Sequence, residues 1–201
     1  MFKIAAFIEF NNRINKKILT QKKIVSKRFG DQIYLNHPVH LTLFTLKIKK
    51  ISDLKKIYIN NQKKIDKSYT INISSPDIFL NDALTGGHTI FYKIKKTKKI
   101  SEIQLTHLKK INNNIEVFKN DINQLKIPIL KRNYIKYGFP FVGKVWIPHT
   151  TIASIKNIKP NHSFVNKFLR SKMNLKCLFN EIKFYKIIKD KHIFLFSVKN
   201  I

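Results

Sequence analysis

Along this chain, apolar positions either recur every three to four residues or cluster in short β-branched and aromatic runs, and the two patterns alternate. Residues 2–10 (FKIAAFIEF) predict a strand. Ile14, Ile18, Val25 and Phe29 then hold helical spacing as far as Gly30, a residue suited to the left-handed turn that ends a helix. After turn chemistry at 36–38, residues 39–48 (VHLTLFTLKI) predict a second strand, and Ser52 caps a short helix through Asn60. Residues 69–74 and 88–94 predict two further strands around a loop at Gly86 and Gly87. With Ser101 and Gln104 as a capping box, Leu108, Ile111, Ile115, Phe118, Ile122 and Leu125 predict one helix that ends near Pro128. Residues 127–143 contain two prolines, two glycines, Tyr134, Tyr137, Phe139 and Phe141, which predicts an ordered loop beside a site. Residues 144–155 then predict a strand, and Asn161 caps a helix with Phe164, Val165, Phe168 and Leu169 turned inward. Residues 175–188 and 192–198 predict the closing strands.

The resulting order is strand, helix, strand, helix, strands, followed by helix, strand, helix, strands. It describes two similar halves within one α+β domain spanning residues 1–201, without a linker composition between them. Only 11 of the 201 residues are Gly or Pro and 43% are apolar, so the chain can bury a core and is not a disordered or loop-only scaffold. No run approaches the roughly 20 apolar residues of a membrane span. Residues 1–10 read as a first strand and not as a signal peptide. Cys177 is alone, so no intrachain disulfide forms; a reducing cytoplasmic location and a monomer are expected.

Charge changes the picture most. Lys and Arg number 40 against 11 Asp and Glu, a formal net charge of +29, and only four of the basic residues are arginines. Abundant lysine, isoleucine and asparagine fit an AT-rich genome, but that bias does not explain the shortage of carboxylates. A polyanionic partner would account for it through phosphate attraction and counterion release, with RNA of some length favoured over a mononucleotide as the substrate, and a solvated lysine-rich face is the alternative.

Candidate chemistry lies in two short segments, His40-Leu41-Thr42-Leu43 and His149-Thr150-Thr151-Ile152, each in an apolar strand and preceded by a proline, Pro38 or Pro148. Alternate side chains of a strand share a face, so each segment presents one imidazole beside one hydroxyl. Two imidazoles and two hydroxyls in one cleft suit phosphodiester chemistry without a metal. A neutral imidazole takes a proton from water or a ribose hydroxyl, an imidazolium returns one to the leaving oxygen, and the hydroxyls hydrogen-bond the nonbridging phosphoryl oxygens. One such His-x-Thr is weak evidence, because histidines before threonines in strands are common. Two copies in equivalent places of two similar halves are much stronger.

This pair, with the phrases VHLTLF and WIPHTTIAS, resembles the motif strands of the two-histidine (2H) phosphoesterase superfamily, which includes RNA 2′,3′-cyclic phosphodiesterases, also called 2′-5′ RNA ligases. The order of elements matches from Phe2 to Val198. The resemblance implies a two-lobed α+β fold, two pseudo-symmetric antiparallel sheets around a central cleft with outer helices. It also implies metal-independent, cofactor-free action on RNA ends or small nucleotides carrying a 2′,3′-cyclic phosphate or a 2′-5′ linkage. Carried onto this sequence it makes His149 the general base and His40 the general acid, with roles exchanged in the reverse, ligating direction, and Thr42 and Thr151 the phosphate-binding hydroxyls. Many ligase-like members carry an arginine shortly after the second motif, where this chain has Ser154; Lys47 or Lys144 is the candidate replacement for that charge.

Tyr137 and Phe139 are candidate stacking residues for substrate bases. His37 is placed at a turn or rim, His88 at a rim, and His107, His162 and His192 on the surface or in packing. Cys177 reads as a small buried thiol, and no phosphate-binding Gly-rich loop or dinucleotide motif is present. Two rival readings stay open: a cyclic-nucleotide or cyclic-oligonucleotide hydrolase, and a basic RNA-binding protein without turnover.

Overall fold

In the computed structural model, which describes residues 1–59, 68–189 and 191–199, the described residues form two four-stranded antiparallel sheets with helices on their outer faces. One sheet has the order β2-β1-β7-β8, from His40–Ile48, Phe2–Glu9, Glu181–Ile188 and Lys191–Lys199. The other has the order β5-β4-β3-β6, from His149–Ile155, His88–Ile94, Tyr69–Phe79 and Leu175–Phe179. The lobes are therefore not the two sequence halves. The first sheet unites the beginning of the chain with its last two strands, and the second is built from the middle.

Helices exchange between lobes. Helix α1 (Asn12–Phe29) follows β1 yet packs on β5 of the other sheet, where α6 (Ser163–Arg170) covers β3; α3 (Lys98–Ile111) follows β4 yet packs on β2 beside α2 (Ile51–Ile59). Ile14, Ile18 and Val25 of α1 and Ile100, Ile103, Leu108 and Ile111 of α3 are buried at these contacts. One continuous apolar core results, running through both sheets. Burying each such side chain contributes about 1.5–3 kcal/mol.

Several boundaries depart from the sequence expectation. The long helix expected from Ser101 to Pro128 is three pieces. Thr97 caps α3, its Oγ1 accepting from the Ile100 amide at 3.2 Å, and Ser101 lies inside the helix with its hydroxyl donating back to the Thr97 carbonyl. Helix α3 stops at Ile111, because Asn112–Asn114 turn the chain and the Ile115 backbone bridges to Ile48 of β2; asparagine side chains compete for backbone partners, which weakens a helix interior. Two short helices follow, α4 (Lys119–Gln124) and α5 (Pro128–Tyr137). Pro128 opens α5 and does not close a helix, so the expected loop at 127–143 is largely helical. At its end Gly138 has φ +65°, and a Cβ there would sit 3.2 Å from Leu46 Cδ2.

Other differences are smaller. Strand β3 continues past Ser74 through Pro76, where an irregular register accommodates the missing N–H. Residues 175–188 are two strands in different sheets, parted at Asn180. His162, not Asn161, caps α6, its Nδ1 accepting from the Phe164 amide at 3.1 Å, and Leu169 is exposed. The expected end of α2 at Asn60 lies outside the described residues.

Candidate active site

Both motif strands are edge strands, and β2 and β5 run within 8 Å of each other where the two sheets meet. In each, one residue after the motif threonine is extra in the ladder: Leu43 between the pairs Ala6–Phe44 and Phe7–Thr42, and Ile152 between Ile90–Ala153 and Phe91–Thr151. Such bulges re-aim side chains at an edge. The helix-facing sides are identified by Tyr92 against Phe168 of α6 and Phe184 against Tyr58 of α2. Because pairing fixes the faces, His40 with Thr42 and His149 with Thr151 lie on the opposite, helix-free sides.

The imidazoles are held alike. His40 Nδ1 lies 2.7 Å from the Pro38 carbonyl and His149 Nδ1 lies 2.7 Å from the Ile147 carbonyl, each two residues upstream. A carbonyl only accepts, so each Nδ1 carries the proton and each Nε2 keeps its lone pair when the ring is neutral. A phenylalanine from the adjacent strand backs each ring. Phe7 stacks on His40 with centroids 3.6 Å apart, and Phe91 and Phe79 pack on His149 at 4.8 and 5.3 Å.

The charges around the two rings differ. Loss of hydration lowers the His40 pKa to about 3, the Pro38 carbonyl opposes this, and His192, Lys22 and His37 add to it. His40 is therefore neutral at physiological pH. His149 is also lowered, by burial, but the Ile147 carbonyl and the Asp82 carboxylate pull it back up. Asp82 is fixed by the Thr89 hydroxyl at 2.6 Å and the Leu84 amide at 3.0 Å in the loop between β3 and β4.

The remaining candidates scatter. Thr42 and Thr151 are half-buried on the motif faces. Lys47 is tied to Asp121 at 2.7 Å and lies over the Phe118 ring, and the Lys144 side chain is exposed. Phe139 is buried in the core and Tyr137 packs against that core, so the exposed aromatic of this segment is Phe141. Ser154 is buried, its hydroxyl 2.6 Å from Thr85 Oγ1. His88 is also buried, its Nδ1 accepting from the Asn81 amide; His107 contacts Tyr58 and Cys177 is buried.

A further histidine joins the site that the sequence did not place there. His192, expected on the surface or in packing, lies with its ring 6.0 Å from His40 and 4.7 Å edge-on to His37, which in turn meets Tyr34. Only the β7–β8 pairing brings His192 back to the first motif, and no local signal announces it. Among the described residues no group of three or more His, Cys, Asp or Glu side chains could hold a metal ion.

No family model and no curated protein matches the chain at the level of sequence. Solved structures do match in fold over nearly the whole length. TT0787 of Thermus thermophilus superposes with a TM-score of 0.66 at 12% identity, covering 98% of this chain and 97% of that one. A structure described as a phosphoesterase gives 0.58 at 11% identity, covering 99% of both chains. LigT of E. coli complexed with 3′-AMP gives 0.54 at 8% identity, again covering 99% of both. The chain thus shares the fold of these structures, one described as a phosphoesterase and one as LigT, and that fold is the two-sheet α+β arrangement expected from the sequence.

Proposed function

We propose that this protein is a phosphodiesterase acting on RNA ends or small nucleotides, with His40 and His149 as its acid–base pair. The observation that carries the reading is the duplicated geometry: two imidazoles, each with Nδ1–H fixed to the carbonyl two residues upstream, on neighbouring edge strands. Each leaves Nε2 free for proton transfer, and a hydroxyl stands two residues along the same strand face. The likeness to a phosphoesterase fold supports the same reaction class, and LigT's complex with 3′-AMP supports a nucleotide as the substrate class.

In this reading His40 is the general base and His149 the general acid, the reverse of the assignment made from the motifs. His40 sits among Lys22, His37 and His192, which disfavour its cation, while Asp82 favours the cation of His149. His40 Nε2 takes a proton from water, the oxygen attacks phosphorus, and His149 Nε2 delivers a proton to the departing ribose oxygen. Thr42 and Thr151 hydrogen-bond the nonbridging oxygens as charge grows on them. No metal takes part in the scheme.

The test is hydrolysis of an RNA oligonucleotide ending in a 2′,3′-cyclic phosphate, with EDTA present, locating the new phosphate as 2′ or 3′. Wild type is expected to turn over, His40→Ala and His149→Ala to lose turnover while keeping their fold, and Thr42→Ala or Thr151→Ala to slow by about 10²–10³-fold. Wild-type activity only after a divalent ion is restored would sink the scheme. Activity confined to free cyclic nucleotides or cyclic oligonucleotides would move the substrate to the first rival reading. Salt-sensitive binding with no turnover would favour the second.

A further inference from the structure

Each motif histidine is preceded by a loop gripped by a lysine ammonium, and the two grips coincide position by position. Lys22, buried in α1, donates to the carbonyls of Tyr34 at 2.6 Å, Leu35 at 3.4 Å and His37 at 2.7 Å. These lie six, five and three residues before His40. Lys96, in the connection from β4 to α3, donates to the carbonyls of Gly143, Lys144 at 3.2 Å and Trp146 at 2.8 Å. These lie six, five and three residues before His149.

The backbone agrees. The residue six before each histidine has positive φ, +74° at Tyr34 and +65° at Gly143, and its carbonyl also accepts from the amide three residues later, that of His37 or Trp146 at 3.2 Å. For a tyrosine this conformation is uncommon and costs energy, so the surroundings must enforce it. The lysines themselves come from unlike places, a helix interior and a strand-to-helix connection. What recurs is the cradle and not the element that fills it.

We propose that Lys22 and Lys96 are positioning residues, each fixing the loop before one motif strand and thereby the ring orientation and tautomer of the catalytic histidine that follows. The link is short. The carbonyl three residues before the histidine is pinned by the ammonium, and the next one, of Pro38 or Ile147, receives the imidazole Nδ1–H. A proline stiffens the span in both cases. Pro38 fixes its own φ, and Pro148 restricts Ile147 to extended backbone. Three carbonyl acceptors match the three protons of an ammonium, and no other side chain offers that donor set from one compact charge. Released, each loop is free to turn its carbonyl away, and the imidazole is free to place its proton on Nε2, the atom that must carry a lone pair or a mobile proton.

The role as catalytic positioning rests on the function proposed above; the structural coupling does not, and the test separates them. Nitrogen-15 NMR of the histidine side chains distinguishes the two tautomers without any substrate. In the wild-type protein at pH 7, where burial leaves Lys22 still mainly an ammonium and both rings mainly neutral, His40 and His149 are expected as Nδ1–H tautomers. Lys22→Met should shift His40 toward the Nε2–H form and leave His149 unchanged, and Lys96→Met should do the converse. A merely structural lysine would leave both tautomers alone or disturb them together. On a cyclic-phosphate RNA, each variant should lose about 10²-fold in kcat, the scale of a small misplacement at the reacting centre, with KM within about twofold. Lys96 is exposed, so Lys96→Met tests the proposal even if Lys22→Met fails to fold. Wild-type tautomer at His149 in Lys96→Met would overturn it. A tautomer change in a protein without wild-type turnover would uphold the coupling and reject the function.

Discussion

At the scale of single residues, the two imidazoles are equivalent in geometry and unequal in charge environment, and the inequality has a measurable sign. The acid must be protonated in the free enzyme for kcat/KM to be high. Burial lowers the His149 pKa below its ordinary value of 6.5, so its proton is lost at lower pH than that of a free imidazole. Activity, expressed as kcat/KM, is therefore expected to fall as pH rises, along an alkaline limb centred below 6.5. Asp82→Asn removes the one carboxylate that favours this imidazolium, and should move the limb further down; a limb that moves up would reject His149 as the acid. The motif residues themselves were legible, since His and Thr two apart in an apolar strand declare a shared face. Lys22, Lys96 and His192 were not, because each acts on residues that only the fold brings near. The lysine expected from the family resemblance to supply charge near Ser154 was not legible either: Lys47 is paired with Asp121, and the Ser154 hydroxyl is buried against Thr85.

At the scale of elements, local pattern placed the strands and most helix interiors, missed α5 inside the expected loop, and misplaced several ends. The run from Ser101 to Leu125 keeps helical spacing throughout, yet Ile115 leaves the helix for a bridge to Ile48 and the Glu116 amide reaches the Lys47 carbonyl at 2.7 Å. Tertiary pairing overrides a weak propensity there. Residues 175–188 look like a single strand because both parts alternate, and nothing local at Asn180 says that the partner sheet changes. The cap of α3 is a checkable consequence. Thr97→Ala should lower stability by about 1 kcal/mol in denaturant unfolding, the usual cost of an N-cap. Ser101→Ala should cost less than Thr97→Ala, since its hydroxyl only returns to the Thr97 carbonyl from within the helix. Equal losses would restore the cap expected from sequence.

At the scale of the whole molecule, charge is distributed unevenly. No carboxylate occurs between Asp121 and Glu181, and α1 and α6, the helices over the second sheet, contain none. Between these two helices lies a groove lined in part by Arg28, Lys167 and Arg170. Such a surface should hold single-stranded RNA with strong salt dependence. With roughly four phosphate contacts, affinity should fall about 50-fold from 50 to 200 mM salt. Fluorescence anisotropy on the His40→Ala protein measures this without consuming the probe, and salt-independent binding would assign the charge to genome composition alone.

The class of fold, the two motif strands and the sign of the chain's own charge are properties of the linear chain, because each is written in local alternation, in residues two apart on one face, or in a sum over charges. Folding in three dimensions settled which strands share a sheet, that helices cross between lobes, and that edge strands 109 positions apart in their motif histidines lie side by side. It also settled the loop grips of Lys22 and Lys96. Their acceptors are backbone carbonyls, which every residue possesses, so no side-chain pattern can mark them; only the path of the chain turns them toward one ammonium.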